Sequence, residues 1–120
     1  QRKRKSIGNE RTFGQALKSS QEVETNLSFL AAKLEEGLNK RQLHGKTLVL
    51  KLRTSDFRTV TKRMTGDSFF KNDKAVFAFY GQQIFDELQS GEIDVRLLGL
   101  TMTNLVSLQF ENIELPLWRN

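Results

Sequence analysis

Cysteine is absent from this 120-residue chain, and histidine and proline each occur once. The missing thiols exclude disulfides and thiolate metal sites, and make a reducing, intracellular setting the default expectation. No apolar run approaches the length that spans a bilayer, so no membrane partner is expected. The basic opening Gln1-Arg2-Lys3-Arg4-Lys5 does not read as a secretory leader, because Ser6, Gly8, Asn9, Glu10 and Arg11 stand where an apolar stretch would have to follow. The chain lacks an initiator methionine and opens inside a charge run, the expectation for a segment of something longer. Catalytic groups are equally sparse. His44 has no second ligand or dyad partner in sequence, precedes a glycine and reads as a loop residue. Glu35-Glu36 and Asp86-Glu87 are adjacent pairs that point to different azimuths of a helix, so no shared metal site is expected. Neither a glycine-rich phosphate loop nor a nucleophile motif occurs, and no catalytic residue is assigned.

The residues that are present, 38% hydrophobic and 28% charged, suit a single globular domain with one modest core. Residues 4–13 mix β-branched and aromatic residues with polar ones and read as a first strand. Ser19 stands three before Glu22, a capping-box spacing, and Val23, Leu27, Leu30, Leu34 and Leu38 then recur at helical steps. From Lys46 to Arg53 the period changes to two, with Leu48, Leu50 and Leu52 on one face and Thr47, Val49, Lys51 and Arg53 on the other. Ser55-Asp56 is turn chemistry, and a hairpin partner follows in which Val60 and Met64 oppose Thr59, Thr61, Arg63 and Thr65. Asn72 and Asp73 can cap a second helix with Phe77, Tyr80, Ile84 and Leu88 as its stripe, ended by Gly91. A last strand runs from about Asp94 to Leu105, with Val106, Leu108 and Phe110 able to extend the alternation. The order β-α-β-β-α-β predicts an α+β fold: a four-stranded, mostly antiparallel sheet with both helices on one face and the other face open.

That open face is basic. Residues 1–13 carry a net charge of +4 and residues 46–66 a net +5, leaving −4 for the rest of the chain. Threonines and serines are interleaved with the bases, and hydroxyls are common partners of phosphate oxygens. A polyanion is the expected ligand. An RNA-recognition module has the same element order but needs exposed Phe or Tyr on its central strands, where this chain has Thr59, Thr61, Arg63 and Thr65. Duplex backbone therefore fits better than unpaired bases. A ferredoxin-like protein-interaction module, binding an acidic partner on the same basic face, is the alternative, with an RNA-binding module third.

Two motifs add a family resemblance. The run Arg4-Lys5-Ser6-Ile7-Gly8-Asn9-Glu10-Arg11-Thr12-Phe13 resembles the opening of the little finger, or polymerase-associated, domain of Y-family translesion DNA polymerases of the DinB type. Val95-Arg96-Leu97-Leu98-Gly99-Leu100-Thr101 is similar to the final strand of the same domain. The resemblance implies a processivity and positioning element that lays its sheet on primer–template duplex DNA. It divides the chain into the end of a basic linker (1–5), the DNA-binding domain (6–106) and a C-terminal tail (107–120). It implies phosphate contacts from Arg2, Lys3, Arg4, Lys5, Ser6, Gly8 and Arg11, and from Thr61, Lys62 and Arg63. The linker would meet the palm and thumb of a parent DNA-directed DNA polymerase, whose Mg2+ ions would lie in the palm, with no cofactor in this segment. The tail Ile113-Glu114-Leu115-Pro116-Leu117-Trp118 resembles a sliding-clamp peptide, with Leu115, Leu117 and Trp118 as its apolar anchors and Glu114 where a Gln is usual. A bacterial, cytoplasmic and nucleoid-associated setting is implied.

Overall fold

The computed structural model describes residues 6–108. Six elements follow the expected order: β1 (Ser6–Leu17), α1 (Ser20–Arg41), β2 (Leu43–Arg53), β3 (Thr59–Thr65), α2 (Lys74–Leu88) and β4 (Val95–Ser107). The strands form one sheet in the order β1-β4-β2-β3, and every neighbouring pair is antiparallel. β4 lies between β1 and β2, and β2 lies between β4 and β3, so two split βαβ units interlock. The α+β expectation is borne out.

Local chemistry starts both helices where the sequence places them. The Ser19 side chain accepts from the Glu22 N–H at 3.2 Å. The Glu22 carboxylate accepts in return from the N–H groups of Lys18 at 2.8 Å and Ser19 at 3.1 Å. Those donors, Lys18 first, hold the Glu22 carboxyl below its ordinary pKa. Lys40 and Arg41 occupy the last turn, the favourable end of the macrodipole for cations. Asp73 caps α2 by accepting from the Ala75 N–H at 2.9 Å.

Val23, Leu27, Leu30, Leu34 and Leu38 of α1 are all buried, as their spacing requires. They meet Phe77, Ile84 and Phe85 of α2 over Leu48, Leu50, Leu52, Leu98, Leu100 and Met102 of the central strands. Gly81 permits the close approach of α2: a methyl there would stand 3.4 Å from Leu100 and 3.6 Å from Leu27.

Three local expectations need correction. β1 runs on to Leu17, because a bulge after Thr12 lets the strand re-pair through Leu17 with Val95. His44 is not a loop residue. It lies in β2, 6% exposed, and its ring stacks on Phe69 at 3.9 Å with 9° between the planes. It shares the parity of Leu48, so extending the strand backward carries it to the helix side. α2 ends at Leu88 rather than at Gly91. The Gln89 side-chain amide donates to the carbonyls of Ser90, Gly91 and Glu92, and Gly91 supplies a left-handed residue (φ +71°) inside the following loop.

Candidate nucleic-acid interface

Antiparallel register places directly paired residues on the same face, so the open side of the sheet can be written as four rows crossing β1, β4, β2 and β3 in turn. They are Ser6, Thr103, Thr47, Thr65; then Gly8, Thr101, Val49, Arg63; then Glu10, Gly99, Lys51, Thr61; and lastly Thr12, Leu97, Arg53, Thr59. Half of these positions carry a hydroxyl, three are Lys or Arg and one is acidic; Thr47 and Leu97 are buried, and the exposed positions combine neutral donors with positive charge. None is aromatic.

The rows are preorganised by contacts among their own members. The Thr47 and Thr65 hydroxyls are 3.0 Å apart, and the Asn104 amide donates to Thr47 Oγ1 at 2.7 Å. Asn104 does this from a left-handed backbone (φ 58°) within β4. Arg53 Nε donates to Thr59 Oγ1 at 2.9 Å, which aims the guanidinium along its row and leaves its terminal nitrogens for another acceptor. Lys51 Nζ lies 3.4 Å from Glu10 Oε1 across the strand that separates them. Gly99 stands between the two in register, and its lack of a side chain opens the path for that ion pair. Gly8 is needed for packing: a methyl there would overlap the Thr101 hydroxyl and stand 2.7 Å from the Leu100 carbonyl oxygen.

One end of the face is closed by the β2–β3 hairpin. Thr54 donates through its hydroxyl to Asp56, and Ser55 donates to Asp94 through its N–H at 3.2 Å and its hydroxyl at 2.7 Å. The Thr54 hydroxyl holds the Asp56 carboxyl below its ordinary pKa, and the Ser55 hydroxyl does the same for Asp94. Both are anions at neutral pH. Lys18 adds an ion pair to Asp94 at 3.6 Å.

The structure brings Ser6, Gly8, Thr61 and Arg63 to the open face together. It does not bring Arg11 or Lys62 there. Arg11 pairs in register with Leu98, on the helix side. Its guanidinium donates to Asn26 Oδ1 at 3.0 Å and lies 4.3 Å from the Phe29 ring centroid. Lys62 pairs with Leu50 and reaches Glu87 of α2 at 3.5 Å. The physical reason is the same for both: each shares the parity of an apolar residue that faces the core, Ile7 in one strand and Met64 in the other. In β1 that signal was legible, since Ile7 is the strand's one β-branched aliphatic residue and lies an even number of positions from Arg11. Conversely, Thr101 and Thr103 of β4 belong to the face and were not singled out. Arg2, Lys3, Arg4 and Lys5, and the tail residues Leu115, Leu117 and Trp118, lie outside the described residues.

Among the described residues no group of three or more His, Asp or Glu side chains comes together in a way that could hold a metal ion. No helix among them is long and apolar enough to cross a membrane.

Comparison with known proteins meets this geometry from another direction. Residues 4–115 match the impB/mucB/samB family C-terminal domain. The chain is 45% identical over 114 residues to a DNA polymerase IV of Listeria monocytogenes serotype 4b, covering 95% of this chain and 32% of that protein. It is 42% identical to that of Listeria innocua, with the same coverage. With that of Streptococcus sanguinis it shares 41% identity over 100 residues, 83% of this chain and 28% of the relative. The chain thus spans about a third of the length of the curated relatives it matches. The resemblance carried by the opening and closing strands is borne out, and the chain belongs to the impB/mucB/samB family as its C-terminal, little finger domain.

Proposed function

We propose that the open face of this sheet grips the sugar–phosphate backbone of duplex DNA without reading its sequence, as the DNA-holding domain of a translesion polymerase. The observation that carries the reading is the composition of the four rows, in which hydroxyls and cations dominate and stacking rings are missing. Threonine hydroxyls donate to non-bridging phosphate oxygens, while Arg53, Arg63 and Lys51 supply the charge that displaces condensed counterions. Such contacts fix the register of a duplex and carry no base information. Arg2, Lys3, Arg4 and Lys5 would extend the grip along the connection to palm and thumb domains. In the parent protein those domains would carry nucleotidyl transfer and its Mg2+ ions; the described residues of this chain offer the metal no site, and their part is to hold the primer–template in place. A tail contact with a sliding clamp through Leu115, Leu117 and Trp118 belongs to the same proposal.

The test is fluorescence anisotropy of a labelled primer–template duplex titrated with the chain at several salt concentrations. Each neutralised phosphate contributes about −0.9 to the slope of log K against log salt. Removing one phosphate-contacting cation should therefore flatten the slope by about one unit. Arg63→Ala and Arg53→Ala are expected to do so, while Arg11→Ala and Lys62→Ala, on the helix side, leave the slope unchanged. A shallow wild-type slope, or equal losses from both pairs of variants, would overturn the assignment of this face. Salt-insensitive retention of an acidic protein with no DNA binding would favour the protein-interaction alternative.

A further inference from the structure

We infer that the tip of the β2–β3 hairpin is a stacking probe for an unpaired nucleic-acid base, with Phe57 as the ring and Arg58 and Arg53 as flanking phosphate anchors. The inference rests on the duplex-gripping reading above and adds a second kind of contact to it.

Phe57 is 84% exposed, more than any other large hydrophobic residue described. Its backbone is left-handed, at φ 66°, a conformation in which a bulky side chain is strained and which glycine adopts freely. The turn enforces it. The Phe57 N–H donates to the Thr54 carbonyl at 3.0 Å, and the Thr54 N–H donates to the Arg58 carbonyl at 3.0 Å. The Thr54–Asp56 and Ser55–Asp94 hydrogen bonds lock the residues before it. A strained residue in an over-determined turn points to a use for its side chain. Packing does not supply that use, because the ring belongs neither to the core nor to the half-buried shell against it.

Position and surroundings define the ligand. Arg53 and Thr59 form the last row of the open face before the tip, so Phe57 stands in the turn beyond the end of that face, its side chain exposed. Its sequence neighbours Ser55, Asp56, Arg58 and Thr59 are polar and Arg58 is exposed. The cavity beside the tip is lined by Thr54, Ser55, Asp56, Arg58, Glu92 and Asp94, all polar, so it suits an apolar peptide poorly. A base offers a π-face for the ring together with a phosphate for the arginines. Bases inside a duplex are already stacked, so the ring can engage one only where pairing stops. Every base has such a face, and the contact is therefore indifferent to sequence.

The experiment compares a blunt duplex with the same duplex carrying a single-stranded extension. Phe57→Trp is placed in a Trp118→Phe background so that the tip holds the one indole of the chain. The extended duplex is expected to quench that indole more strongly than the blunt one, whose terminal pairs offer one exposed face each. The wild-type chain should prefer the extended duplex about five- to tenfold, within the range for one stacked base. Phe57→Gly should lose that preference while keeping its affinity for blunt duplex and its thermal stability, because glycine relieves the strained φ. Blunt-duplex binding with no indole quenching and an unchanged preference in Phe57→Gly would overturn the stacking probe alone. Restoration of the preference by Phe57→Leu would also overturn it, since an aliphatic side chain cannot stack. Failure of every variant, wild type included, to bind any duplex would sink the underlying reading as well.

Discussion

The two edge strands each present an arginine, and the two arginines face opposite ways. Arg11 of β1 turns toward α1 and is held by Asn26 and the Phe29 ring. Arg63 of β3 stands on the open face in the row of Val49 and Thr101. They are alike in charge and both are exposed, so a tally of basic residues treats them as equivalent. Strand parity separates them. A charge on the helix side stabilises the packing of a helix edge, while one on the open side remains available to a polyanion. The net charge of the strand regions therefore overstates the positive charge on the open face, and the four rows of register are the better measure.

The sharpest way to test this division of the sheet is to cut one side chain from each face at adjacent positions. Leu50 is fully buried, and Leu50→Ala is expected to cost about 2–5 kcal/mol in urea unfolding through lost burial and the cavity left behind. Lys51→Ala should change stability by less than about 1 kcal/mol, since its ion pair with Glu10 is exposed, yet it should weaken duplex binding. A large stability loss from the second variant would break the distinction between the faces.

A smaller effect separates two exposed glycines of β1. Gly8→Ala forces a methyl against Thr101 and the Leu100 carbonyl and should cost about 1–3 kcal/mol. Gly14→Ala meets no atom within 4 Å and should leave stability unchanged or raise it by about 0.4–1 kcal/mol, through a less flexible unfolded chain. Thermal unfolding of the two variants would settle whether the open face is close-packed at its Gly8 row.

The smallest effect is the pH response of the hairpin end. The folded Asp94 carboxyl titrates below its ordinary value, chiefly because of the Ser55 hydroxyl. Its contribution to stability is therefore present above the ordinary carboxylate range and disappears as pH falls through the lowered folded value. Asp94→Asn should unfold at a slightly lower temperature than wild type at neutral pH, and the gap should close under acid. A gap that widens on acidification would show that the Ser55 contact does not favour the ionised form.

Much of the fold was legible because its signals are local. The Ser19 to Glu22 spacing marks a helix start, since a capping box closes within one turn. Alternation from Lys46 to Arg53 separates Leu50 from Lys51 with no knowledge of what covers either face. The site was legible only in part. Thr61 and Arg63 were assignable from the parity of their own strand, whereas Arg11 and Lys62 reached the phosphate-contacting set through family resemblance, which does not carry parity with it.

By itself the sequence determined the order of six elements, the apolar stripe of each helix and the inward set of the central strands, because periods of 3.6 and 2 are properties of a short stretch of backbone. Tertiary structure decided the rest. The order β1-β4-β2-β3 depends on pairing between residues far apart in the chain, and it aligns Glu10, Gly99 and Lys51 in one row. Burial of His44 against Phe69 and the left-handed Phe57 likewise arise from non-local contacts and a hydrogen-bonded turn. Long-range packing and turn closure can override the local preference of a residue, and here they placed a histidine in the interior and a phenylalanine where glycine would be at ease.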